Sequence, residues 1–174
     1  FRVEIDTANK DVVLSSGAVG CEVWAVAIDW IGIKFEAPSP VVPKGVTPPQ
    51  PAVIDQKGCH YDPHVLGVMV GQTLKLRNSD GLLHNVHALP KVNTPFNMAM
   101  PANRLEADTK FGKEEGMFLV KCDVHGWMNA YANVVPHPFF TVTGADGRFE
   151  IKGLPAGTYT IEADPGRSGS LRVL

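Results

Sequence analysis

Three observations predict an all-β protein built as a sandwich of short strands. Runs rich in β-branched and aromatic residues recur over 22–28, 65–70, 73–78, 118–121, 131–135, 149–151 and 158–163, bounded by glycine, proline, asparagine or aspartate. Leu74 and Leu76 alternate with Lys75 and Arg77, the period of two expected of a strand with one wet face. No stretch sustains the 3.6-residue apolar period of an amphipathic helix, although 98–110 leaves room for one short helix. Gly71-Gln72 and Asp146-Gly147 read as tight connections between strands. An antiparallel sandwich is the economical architecture for such a pattern.

Bulk properties narrow the function classes. A chain of 174 residues suffices for one ordinary domain or two small ones. Apolar residues at 44% and charged residues at 20% fit a folded globular protein. A net charge of -2 without any lysine or arginine run supplies no field for nucleic acid. The longest apolar stretch, 23–33, is interrupted by Asp29 and is too short to cross a bilayer. Phe1-Arg2-Val3-Glu4 is neither an initiator start nor an apolar leader, so export cannot be read from these residues.

Composition marks two boundaries. Six prolines fall within 37–51 (Pro38, Pro40, Pro43, Pro48, Pro49 and Pro51), which makes the segment extended and unfit for a central strand. A second break falls at Pro136-His137-Pro138, where His137 reads as a linker residue. The expected organisation is an N-terminal β segment over 1–36, a connection over 37–51, a main domain over 52–135 and a further β segment over 136–174.

The residues able to do chemistry lie in the main domain. Cys122-Asp123-Val124-His125-Gly126-Trp127-Met128 sets a thiolate, an imidazole and a thioether three residues apart, between two expected strands. So short a loop turns all three side chains toward one pole of a sandwich. Two histidines, one cysteine and a weak axial methionine form the ligand set of blue-copper electron-transfer sites. The missing histidine is expected from a neighbouring strand end, and His84-Asn85-Val86-His87 supplies it. A structural zinc site would want four strong ligands and gains nothing from a thioether. A c-type haem would need Cys-x-x-Cys-His, which is absent.

With these strings in view, residues 52–135 resemble a cupredoxin. Tyr61-Asp62-Pro63, Val70-Gly71-Gln72-Thr73, Asn78-Ser79-Asp80 and His84-Asn85-Val86-His87 look like its first half. Gly116-Met117-Phe118, leading into the Cys122–Met128 loop, looks like its second half. The spacing is most similar to the amicyanin and plastocyanin-like members. The resemblance implies a Greek-key β-sandwich with one type 1 copper ion held by His84, Cys122 and His125, and Met128 axial. It also implies that Asn85 donates its backbone N–H to the sulfur from outside the ligand set. His87 occupies a position that is not a ligand, turned away by the strand's alternation.

Cys59, His60 and His64 have no counterpart in that pattern. Three cysteines allow one disulfide within the chain and leave one thiol over. Cys59 is therefore open to a disulfide with Cys21, to an inert role, or, with His64, to a second metal site or an extra ligand near the first. The tail resembles another family. Gly153-Leu154-Pro155-Ala156-Gly157-Thr158-Tyr159, with Phe140-Thr141-Val142 before it, is similar to the carboxypeptidase-regulatory-like (transthyretin-like) sandwich. That segment is too short to close a sandwich alone, so strands of the N-terminal segment are expected to complete a second small one.

The functional expectation is an electron carrier rather than an enzyme, since four protein ligands leave no open position for substrate. By resemblance it exchanges electrons with a c-type cytochrome or an oxidoreductase, alone or in a larger assembly, in the periplasm or outside the cell. The competing expectation is a scaffolding protein, or a copper-storage or delivery protein, in which the copper site is accessory.

Overall fold

The computed structural model describes residues 2–6, 11–15, 30–34, 50–103, 105–142, 149–151, 160–164 and 171–173. The chain forms two compact units, Pro43–Pro138 and a second made of Phe1–Val42 with Phe139–Leu174.

The strands come in chain order. The N-terminal stretch supplies β1 (Arg2–Asp6), β2 (Asp11–Ser15) and β3 (Trp30–Lys34). The central unit holds β4 (Ala52–Lys57), β5 (His60–Asp62), β6 (Val65–Met69), β7 (Thr73–Asn78) and β8 (His84–Ala88). It continues with β9 (Phe96–Met100), β10 (Glu106–Lys110), β11 (Glu115–Lys121) and β12 (Asn129–Val135). The tail adds β13 (Phe140–Val142), β14 (Phe149–Ile151), β15 (Thr160–Asp164) and β16 (Leu171–Val173). No helix is present among the described residues.

The unit formed by the two chain ends has two antiparallel sheets, β1-β2-β14 and β13-β3-β15-β16. Both combine strands from before and after the central unit, with Phe149 opposite Leu14 and Phe140 opposite Gly32. Residues 22–28, the Asp146-Gly147 turn and Cys21 lie outside the described residues.

The central unit packs a four-stranded sheet, β10-β7-β4-β5, on a five-stranded one, β6-β12-β11-β8-β9. Their inner faces make one core. Ile54, Leu74 and Leu76 from the first sheet join Leu66, Val68, Val86, Phe118, Val120 and Ala132 from the second. Strand β7 follows its sequence period, with Leu74, Leu76 and Asn78 buried between partly exposed neighbours. Each such apolar side chain, fully buried, stabilises the fold by roughly 1.5–3 kcal/mol.

Three expectations change. Each sheet is mixed, because β4 runs parallel to β7 and β6 runs parallel to β12. The room for a helix over 98–110 is taken by strands instead. Met100 pairs with His84 across β9 and β8, and Glu106 pairs with Arg77 across β10 and β7. Sheet edges recruit these segments, and β10 is fixed there by Lys75 and Arg77, whose side chains reach Glu106 at 2.8 and 3.2 Å. His137 is buried, where a wet linker residue was expected.

Candidate metal centre

Strand register brings the two motifs together. Lys121 pairs with His87 and Val120 with Ala88, so the end of β11 lies antiparallel beside the end of β8 and the chain leaves it in the direction of His84. Lys121 also pairs with Asn129, which makes 122–128 a closed loop between β11 and β12. The loop is cross-braced by its own backbone. Cys122 N–H donates to Met128 O (3.0 Å) and Met128 N–H donates to His125 O (2.9 Å). Cys122, Met128 and His84 are buried, and His125 is partly exposed.

The donor atoms of His84, Cys122 and His125 lie within 4.8 Å of one another. His84 Nδ1 stands 3.0 Å from His125 Nδ1 and 4.0 Å from Cys122 Sγ. The other nitrogen of His84, Nε2, meets Asp80 Oδ2 at 2.9 Å. A carboxylate there accepts a hydrogen bond from Nε2–H, which leaves Nδ1 as a lone pair aimed into the cluster. Two imidazole nitrogens and a sulfur facing one another in a buried space suit a cation of the copper type. Met128 is buried in the same apolar core as Cys122.

A polar shell fixes these groups. Asp80 accepts from Gly58 N–H (2.5 Å) and Cys59 N–H (2.9 Å) as well as from His84. Burial alone would raise the Asp80 carboxyl, but these donors together hold it below its ordinary value. Asn85 reaches Cys122 Sγ through its side-chain Oδ1 (3.3 Å), and that oxygen also accepts from Asp123 N–H (2.7 Å). A backbone N–H at the sulfur comes from His125 (3.4 Å), where the resemblance had assigned that contact to Asn85. Asp123 accepts from Lys121, Asn85, Asn97 and His87. The Lys121 contact leads in holding its carboxyl well below the usual carboxylate range. His87 thus points to the Asp123 network and away from the cluster.

Behind Asn85, its backbone carbonyl takes two buried donors, Tyr61 Oη (2.6 Å) and Gln56 Nε2 (3.0 Å). Burial, with the Cys122 and Asp123 charges adding to it, pushes the Tyr61 hydroxyl far above its ordinary range, so it stays a donor. Tyr61, Asp80 and Asp123 lie within the motif strings and Gln56 does not, but none of those strings announces a supporting role for them. Only the fold brings them to the pole.

Cys59 is a free thiol, partly buried. His64 stands apart from it, with Nδ1 at 3.0 Å from Asn129 O and its ring edge-on to Tyr131. Trp127 is exposed, lies 5.3 Å from the His125 ring, and donates Nε1–H to Cys59 O (3.1 Å).

No family model matches the chain, and no curated protein matches it. Among solved structures it is similar to cupredoxins. An amicyanin variant in the Cu(I) state is 23% identical, with a TM-score of 0.43 over 48% of this chain and 81% of that one. A purple cupredoxin from Nitrosopumilus maritimus is 22% identical, with a TM-score of 0.40 over 48% of this chain and 98% of that one. A copper-containing nitrite reductase from Thermus scotoductus SA-01 is 22% identical, with a TM-score of 0.42 over 51% of this chain and 23% of that one.

Proposed function

We propose that the central unit holds one copper ion of the type 1 kind and passes single electrons between redox proteins. His84, Cys122 and His125 are its ligands, with Met128 axial. The observation that carries this reading is the convergence of His84 Nδ1, His125 Nδ1 and Cys122 Sγ in one largely buried cluster. Bound there, copper supplies a reversible one-electron couple. The chain's own residues supply a rigid cage: Asp80 fixes the tautomer of His84, Asn85 and the His125 N–H position the sulfur, and the braced loop holds His125 and Met128. Rigid ligands reduce rearrangement between the two oxidation states. Four protein donors also leave no position for a substrate, which favours a carrier over an enzyme.

The partner reads as a redox protein, a c-type cytochrome or an oxidoreductase, in an exported compartment or a larger assembly. Val124 and Trp127 are exposed beside the partly exposed His125, an apolar rim suited to brief, small contacts. Voltammetry of the copper-loaded protein tests the reading. A reversible one-electron wave is expected. Tight retention of Cu(I) with no stable oxidised form would instead indicate storage or delivery.

A further inference from the structure

A second convergence of donors lies on the outer side of His84. The ligand atoms of Cys59, Asp80 and His84 lie within 4.8 Å of one another. We infer that Cys59 Sγ, the Asp80 carboxylate and His84 Nε2 form a second metal position, for a divalent ion of the zinc type. Thiolate, carboxylate and imidazole are the three donor classes that zinc accepts, held at about 2.0–2.3 Å. A tetrahedral ion at such distances needs donors roughly 3–4 Å apart, so small side-chain shifts bring these three into range and leave the fourth position to water.

The surrounding chain is arranged to hold these donors. Gly58 and Cys59 are the central residues of a two-residue hairpin between β4 and β5, with φ of 62° and 55°. Such a turn wants glycine or asparagine at both positions. A cysteine there carries backbone strain that a glycine would avoid. The strained turn places both its N–H groups on Asp80, and the Cys59 carbonyl is held by Trp127. Asp80 is fixed from behind as well, its N–H donating to Asn78 Oδ1 at 3.1 Å. The ion takes the place of the proton that His84 Nε2 shares with Asp80, and the Cys59 thiol gives up its proton to become a ligand. His64, the sequence-level partner for Cys59, has no part in this position.

The position is separable from the copper reading, because Cys122→Ser removes the first thiolate and leaves the second set whole. A serine hydroxyl can still donate to Asn85 Oδ1, so this variant keeps the fold. Titrated with Zn(II) against a chromophoric chelator, Cys122→Ser should bind one ion per chain. Adding Cys59→Ser should weaken that binding by roughly a hundredfold or more, beyond what loss of an outer contact produces. With Co(II) as the probe, Cys122→Ser should show a thiolate charge-transfer band that Cys59→Ser abolishes and Cys21→Ser keeps. Equal Zn(II) affinity with and without Cys59, or a band that follows Cys21, would overturn the inference. A wild-type protein without copper colour would count against the first site alone, and Zn(II) binding through Cys59 would still stand.

Discussion

The carbonyl of Asn85 offers a quantitative probe of how the site is supported. It is buried and takes two donors, Tyr61 Oη at 2.6 Å and Gln56 Nε2 at 3.0 Å. In Tyr61→Phe, Gln56 still satisfies it, so the loss is one net hydrogen bond, about 1 kcal/mol. In Gln56→Leu, Tyr61 still satisfies it, and the change also removes Gln56 Oε1, a buried oxygen with no partner. Volume is nearly conserved, so this variant should fall within about 1 kcal/mol of the wild type. The double variant leaves the carbonyl orphaned, which adds about 1–3 kcal/mol beyond the sum of the single effects. Urea unfolding of the four proteins, compared at equal m-values, measures that coupling. Additivity to within about 0.5 kcal/mol would show that the carbonyl does not depend on these two donors.

Three further outcomes are expected. Met128→Leu nearly conserves volume in a buried site, so it should cost under about 1.5 kcal/mol and retain copper. Its reduction potential should rise, because losing a weak donor disfavours Cu(II), and complete loss of copper would exclude a merely axial role. Glu115 caps the 91–93 turn by accepting from the N–H groups of Lys91, Val92 and Asn93 and from the Asn93 side chain. Burial alone would raise its carboxyl, yet these donors lower it below 4.5. The folded value is the depressed one, so its stabilisation is present above pH 4.5 and disappears as pH falls through that lowered value. Glu115→Gln should therefore lose stability near neutrality and flatten the acid limb of the stability curve, whereas an unchanged limb in a pH series of melts would refute this. Trp127→Glu or Val124→Glu should slow electron exchange with a redox partner while leaving copper affinity almost unchanged, and stopped-flow rates indifferent to both would place the exit elsewhere.

What could be read from the residues was local. The Cys122–Met128 loop is short enough that spacing alone forces its side chains to one pole, and His84-Asn85-Val86-His87 carries its meaning in four consecutive residues. The groups that hold these side chains were not legible. Asp80 meets His84 because a turn at Gly81 brings it back, and it meets Cys59 only through the parallel pairing of β4 with β7. Parallel pairing needs a crossover, which strand-sized patterns do not announce. The same limit hid β9 and β10. Glu106–Lys110 is a strand because a sheet edge accepts it, and it is poor in apolar residues; Phe96, Met98 and Met100 of β9 do keep a period of two, but over only five residues. His60, the remaining histidine of the Cys59 hairpin, bonds Gly58 O through Nδ1 and takes no part in either cluster.

Cys122 is the proposed thiolate of a copper site shared with His84 and His125. Absorption and spin-resonance spectra of the oxidised, copper-loaded protein test it most directly, read beside Cys122→Ser. An intense visible sulfur-to-copper band and a narrow copper hyperfine pattern are expected in the wild type, and both should vanish in Cys122→Ser. A colourless wild-type copper complex, or a band that survives the loss of Cys122, would contradict the account.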